Sequence, residues 1–189
     1  MKVYRPAAKA SFAWNYFKTM FQTLIFWSIF LFVLPAVVVH LESLYGVPEF
    51  PPLRVVGALM FSAGGVVGLW SGFTTARLGD GTPWPTDCPN RLVISGPYAF
   101  VRNPMALAGI GQGVAVGVCL GSWMVIVYAL LGIPVWHIFA RPSEEADMKE
   151  RFGAEFEHYR RHVRLWIPCF VAYHRGVEKT GDDETPGER

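Results

Sequence analysis

Long apolar runs, broken at a few places, dominate the first 140 positions of the chain. Met20–Val39 carries only Gln22, Thr23 and Ser28 as polar members. Val55–Phe73, between Arg54 and Arg77, is apolar and rich in small residues (Gly57, Ala58, Ser62, Ala63, Gly64, Gly65, Gly68). From Asn103 to Ala140 there are 38 residues with no Asp, Glu, Lys or Arg. A helix that crosses a bilayer needs about 20 mostly apolar residues. The first two runs therefore predict one span each, and the small residues of the second favour close helix packing. The third run is too long for one span. Gly121-Ser122, near its middle, reads as a tight turn and divides it into Met105–Leu120 and Trp123–Phe139, a helical hairpin. The predicted fold class is an all-α integral membrane protein of about four transmembrane helices, with a C-terminal helical hairpin and a short cytosolic helical segment after it.

The pattern changes after Phe139. Pro142-Ser143-Glu144-Glu145 reads as a helix start with acids in the first turn. Met148, Phe152, Phe156, Tyr159 and Val163 then recur at spacings of three and four, an apolar stripe on a charged surface that predicts packing against the membrane or the bundle. Gly153 interrupts it, so the expectation is two short helices or one bent helix, ended at Pro168. The chain divides into 1–73 (arm and first two spans), 74–170 (loop, hairpin and cytosolic helices) and 171–189, a tail with nothing apolar to bury beyond His174 that is expected to be disordered.

Charge sharpens this picture. Of the 189 residues, 17 are Lys or Arg and 15 Asp or Glu. Residues 19–140 hold only eight of these, and residues 141–189 hold twenty. A soluble domain spreads roughly 25% charged residues more evenly. The arm carries Lys2, Arg5, Lys9 and Lys18 with no acid; the 40–53 connection has Glu42 and Glu49 and no Lys or Arg; the 74–102 loop has Arg77, Arg91 and Arg102. By the positive-inside rule both termini lie in the cytosol. The first apolar run is too long for a cleaved leader and lacks a small-x-small site after Val39, so it reads as a retained anchor. Cys88, Cys119 and Cys169 show no metal-ligand spacing, and no metal is expected. With a net charge of +2 nothing resembles a nucleic-acid-binding tail.

The 74–102 loop is long and punctuated by Gly and Pro, the kind of connection that carries function. It ends in Leu92-Val93-Ile94-Ser95-Gly96-Pro97-Tyr98-Ala99-Phe100-Val101-Arg102-Asn103-Pro104-Met105. The hairpin returns the chain to the same face, where Glu144-Glu145 follow. Read without a site, Arg102 flanks a span and the acids open a capped helix. Read as a site, a Tyr, an Arg, an Asn amide and two carboxylates converge at the membrane surface. His137, about one turn before Arg141, is either near that site or bonded within the bundle. His158, His162 and His174 read as surface residues, and Arg160, Arg161 and Arg164 as a lipid-headgroup contact.

This run resembles the signature of the isoprenylcysteine carboxyl methyltransferase family and its phospholipid N-methyltransferase relatives. The matching residues are Leu92-Val93, Gly96-Pro97-Tyr98, Arg102-Asn103-Pro104, Glu144-Glu145, Phe152-Gly153, Tyr159, Val163 and Pro168, in that order, with a charge-free hairpin inside. The resemblance covers about residues 75–170. It implies a multi-span enzyme that uses S-adenosylmethionine in a pocket at the cytosolic face that is not a Rossmann fold, consistent with the lack of a GxGxxG here. It places cofactor contacts on Asn90, Arg91, Leu92, Val93, Tyr98, Arg102, Asn103, Pro104, Met105, Ala106 and Glu144. Glu144, Glu145 and Arg141 become candidates for the chemistry, Arg141 because the family's substrate-binding Arg aligns with the neighbouring Ala140. Two departures stand out: the family often has His at Asn103, which cannot titrate, and Tyr at Ala106, where a ring and hydroxyl are lost.

The expected activity is methyl transfer to a lipid-like membrane substrate, favouring a carboxylate, which is ionised at pH 7 and needs no base. An amine acceptor would need one, for which Glu145 or His137 is the candidate. Amine methylation of a phospholipid, an NADPH-dependent lipid or sterol reductase, and a non-catalytic relative are the alternatives. The expected partners are a lipophilic or prenylated substrate and membrane lipids.

Overall fold

The computed structural model describes residues 4–174. The part of the expected tail that follows His174 lies outside the described residues. Among the described residues there is no strand, and the chain forms helices joined by irregular loops. Helix α1 runs over Phe12–Tyr45, α2 over Arg54–Leu78, α3 over Pro104–Leu120, α4 over Trp123–Val135 and α5 over Arg141–His162. Three of the helical stretches, Phe12–Tyr45, Arg54–Leu78 and Trp123–His162, are long and apolar enough to cross a membrane, and α3 is a shorter apolar helix between them. The architecture is all-helical and membrane-embedded, with α3 and α4 forming the expected hairpin about Gly121-Ser122.

Helix bounds differ from the apolar runs. At about 1.5 Å per residue, the 34-residue α1 outruns the ~30 Å hydrocarbon layer. Hydropathy marks only the part within lipid, whereas backbone hydrogen bonding carries the helix into the interface. It starts where Ser11 Oγ accepts the Trp14 N–H and ends at Gly46, whose backbone is left-handed.

The expected helix start at Pro142 is also different. The chain continues from α4 into α5 through a single π-turn, Trp136–Ala140. A proline has no N–H to give to the fourth residue back, and its ring crowds that residue's carbonyl. Here Arg141 donates instead to Trp136, five residues back, so the turn is widened just before Pro142 and the helix passes on without a break. The same device stands in α1, where Leu34 donates to Ile29 just before Pro35. The bend expected at Gly153 is present: its φ of 49° and ψ of −124° interrupt α5, a conformation open to glycine.

Close packing of α2 is set by its small residues. A Cβ at Gly57 would stand 2.4 Å from Cys119 Sγ on α3, and one at Gly68 2.5 Å from the Trp27 ring on α1. One end of the bundle is sealed: Phe50 N–H donates to Gly121 O, Leu53 N–H to Val118 O, and Glu42, fully buried on α1, accepts the Met124 N–H in the first turn of α4. The arm, the 79–103 loop, α5 and residues 163–174 gather at the opposite end. There Arg5, Ala7 and Cys88 exchange backbone hydrogen bonds that hold the arm on the loop.

Candidate active site

At that opposite end the helices enclose a cavity of about 430 Å³. Its walls come from six pieces of chain: the arm (Tyr4), α1 (Gln22, Thr23, Phe26, Trp27), α2 (Thr75), the loop (Trp84, Arg91, Val93, Tyr98, Arg102), the start of α3 with its cap (Asn103, Met105, Ala106), and the α4–α5 helix (Trp136, Ala140, Glu144, Asp147, Met148, Arg151). In the last group Trp136, Ala140, Glu144, Asp147 and Arg151 recur at steps of three and four, which places them on one helical face, with Met148 at its edge.

The loop is locked in place by the C-terminal segment. Phe156, Tyr159 and Val163 form a buried cluster with Leu92, Ile94, Met148, Phe152 and Tyr173 packed on it. The apolar stripe of α5 thus packs on the loop, and Met148 and Phe152 also reach the cavity. The Tyr159 hydroxyl donates to Tyr98 O at 2.6 Å, Arg102 N–H donates to Arg164 O, and Cys169 N–H to Phe100 O. Burial raises the Tyr159 hydroxyl well above its ordinary range. The Tyr98 hydroxyl is turned toward the bundle, where it accepts from Thr75 Oγ1 at 2.9 Å. Burial pushes it up to about 12 in spite of that bond, so Tyr98 is a neutral phenol at any physiological pH.

The two adjacent acids, Glu144 and Glu145, have opposite surroundings. Burial alone would raise Glu145, but its oxygens meet Arg102 Nη1 at 2.8 Å, Arg141 Nε at 3.1 Å and Arg160 Nη1 at 3.3 Å, which hold it below the usual carboxylate range. Glu144 makes no ion pair within the described residues, and burial pushes it up to about 7. The indole of Trp136 and the more distant charge of Arg102 pull it down only in part, and Trp136 Nε1 itself makes no hydrogen bond of normal geometry. Facing the same space, Asn103 caps α3 by accepting the Ala106 N–H on Oδ1, and its Nδ2 is buried without a partner.

Of the residues singled out in the sequence, Arg91, Val93, Tyr98, Arg102, Asn103, Met105, Ala106 and Glu144 come together on the cavity wall. Five others stand elsewhere. Asn90 uses its amide to tie Ala7 O to Asp80 O. Leu92 belongs to the packed cluster, Pro104 is buried in the first turn of α3, and Glu145 and Arg141 form the ion-pair group behind the wall. His137 is exposed and bonded to Arg141 and Trp166, and His158 and His162 lie against each other at the surface with tilted rings. The wall also holds residues that the motif did not point to. Gln22 and Thr23 carried a signal, being polar inside an apolar run, and Asp147 and Arg151 share the helical phase of Glu144. Tyr4 and Trp84 carried none, because only the tertiary fold brings the arm and the mid-loop over the cavity.

The sequence pattern of the phospholipid methyltransferase family matches residues 53–155. The match takes in α2, the loop, the hairpin and most of α5, with Tyr98, Asn103 and Glu144, and leaves out the arm and α1. No curated protein and no solved structure matches the chain. A pattern shared over more than half of the 189 residues, carrying the walls of a cavity at one end of a membrane bundle, places the chain in the phospholipid methyltransferase family, as a membrane methyltransferase of lipid-like substrates.

Proposed function

We propose that the protein transfers a methyl group from S-adenosylmethionine to a carboxylate on a lipid-like acceptor, at the cytosolic mouth of the bundle. The observation that carries the cofactor reading is a pair of groups on the wall, a carboxylate without an ion pair and an amide N–H without an acceptor. Glu144 is a desolvated carboxylate with no cation beside it, and Asn103 offers a buried N–H with no acceptor. The head of S-adenosylmethionine carries an ammonium and a carboxylate that fit this donor set, and charge-assisted bonds of this kind are the strong ones. When bound, the cofactor supplies the electrophilic methyl group on its sulfonium. The chain's part is to bind, orient and exclude water, since holding two reactants in line is most of what such a displacement needs.

The carboxylate preference is supported by what the wall lacks. Glu145 and His137, the two candidate bases for an amine, both stand off the cavity, and Asp147 on the wall is paired with Arg151 at 2.9 Å. A carboxylate nucleophile needs no base. Amine methylation is the second reading, and Glu144 itself favours it, because a carboxyl near 7 is suited to take a proton. One carboxylate cannot hold an ammonium and serve as that base at once. The acceptor reaches the cavity sideways. Helix α1 and the turn that follows α4 both line the cavity, through Gln22, Thr23, Phe26 and Trp27 on the one and Trp136 and Ala140 on the other, and the two helices are tied where Tyr128 Oη donates to Phe30 O. The described N- and C-terminal segments share this end, and the Lys/Arg bias of the sequence supports reading it as the cytosolic one.

The test is transfer of a labelled methyl group to a total lipid extract. A carboxylate acceptor yields a base-labile ester that releases volatile methanol, whereas an N-methyl product keeps its label in base. In detergent, the demethylated cofactor should raise the melting temperature and NADPH should not. No binding of either form of the cofactor would sink the proposal.

A further inference from the structure

Asn15, Thr19 and Gln22 lie on one stripe of α1, and each has a buried side-chain oxygen without a partner. Such groups are costly in an apolar surrounding, and in a spanning helix there is no water to relieve them. Asn15 and Thr19 are buried within the bundle, Thr19 against the Gly72 position of α2. Gln22 is the member that opens onto the cavity, with Thr23 beside it and Trp136 among the other lining residues. The helix that carries it lies outside the stretch matched by the family pattern. Glu144 and Asn103, the groups assigned to the cofactor, belong to α5 and to the start of α3. Gln22 is therefore a polar recognition group on the wall that the cofactor assignment does not use.

We propose that Gln22 binds the polar head of the lipid acceptor at the α1 wall of the cavity, and so sets acceptor specificity. This rests on the methyltransferase reading of the cavity. A primary amide presents one donor group and one acceptor oxygen, and whichever way it is turned it offers both. It suits a head that carries an uncharged amide, a carboxyl or an ester oxygen next to the methylated atom, and a hydrocarbon chain alone would leave it unpaired. A site built to hydrogen-bond a substrate discriminates against analogues that lack the partner.

The experiment compares wild type, Gln22→Leu and Gln22→Glu in full-length protein in mixed micelles. The probe is total lipid extract at rising mole fraction, and labelled-methyl transfer is the readout. Gln22→Leu keeps size and loses both hydrogen-bonding groups. Its apparent KM for the extract should rise about tenfold, the cost of one buried hydrogen bond, with kcat changed no more than about twofold, the signature of lost substrate binding. Affinity for the demethylated cofactor should not move in either variant. Thr19→Val, on the same stripe but away from the cavity, should leave KM as it is. An unchanged KM in both Gln22 variants, with transfer intact, overturns the assignment and leaves the methyltransferase reading standing. If wild type neither binds the demethylated cofactor nor labels any lipid, the methyltransferase reading falls and takes this one with it.

Discussion

The two ends of the bundle treat a buried glutamate in opposite ways. At the sealed end, Glu42 is fully buried and accepts the Met124 N–H at 3.1 Å, with Ser122 Oγ accepting from Val125 beside it. It caps a helix, and a carboxylate at a helix N-terminus also meets the favourable end of the dipole. At the open end, Glu144 has no such employment. It faces a cavity with the unpaired nitrogens of Asn103 and Trp136 nearby. The same residue type is structural where one of its oxygens is tied to a helix start, although Glu42 Oε2 is itself without a partner, and available for a ligand where the fold sets no cation beside it. Glu145, one residue on, sides with Glu42, since three arginines complete it.

Substitutions can break this contrast. The largest effect is expected from Glu144→Ala, which should lower affinity for the demethylated cofactor by about 100-fold, the scale of a charge-assisted bond worth up to ~3 kcal/mol; calorimetric titration in detergent checks it. If Glu42→Ala does the same, the two ends do not differ in this way. Next is pH. Burial favours the protonated form of Glu144, so raising pH toward about 7 creates the carboxylate that holds an ammonium. Affinity should rise about tenfold per pH unit below that point and level off above it, and Glu144→Gln should remove the slope. The ligand-free protein should show the reverse linkage. A carboxyl raised from 4.5 to about 7 contributes stability that is lost as pH climbs through that window. Smaller again, Glu42→Ala should cost about 1–2 kcal/mol through the lost cap, read as a lower melting temperature with cofactor affinity unchanged. Smallest is Tyr98→Phe. It removes a phenol whose partner Thr75 can turn back to its own helix, so about 1 kcal/mol or less is expected, seen as a few-fold loss of transfer.

Much of this was legible in the sequence because lipid imposes a simple rule on composition. The charge-free stretch from Asn103 to Ala140 announced the hairpin, and Gly121-Ser122 its turn. Tyr98, Asn103 and Glu144 were legible because they sit in an ordered motif on either side of that hairpin. Three things were hidden. Pro142 looks like a helix start, yet the widened turn before it lets the helix run through, a matter of backbone hydrogen bonding that side-chain pattern does not record. Glu144 and Glu145 are indistinguishable as letters, and only the positions of Arg102, Arg141 and Arg160 separate them. The contribution of Tyr4, Gln22 and Trp84 depends on contacts between segments far apart in the chain.

The widened turn ahead of Pro142 has a consequence for chain length. A π-turn holds one residue more than an α-turn over the same stretch of axis, so Trp136–Ala140 amounts to an insertion already absorbed in place. Removing one residue there would restore regular winding without shifting the phase of α5, and Glu144, Asp147 and Arg151 would stay turned to the cavity. A one-residue deletion within Val125–Leu131, where the winding is regular, would swing that whole face by about 100°, one residue's share of a 3.6-residue turn, and carry all three off the wall. Single deletions scanned along this helix should therefore be tolerated at the joint and nowhere else on the span.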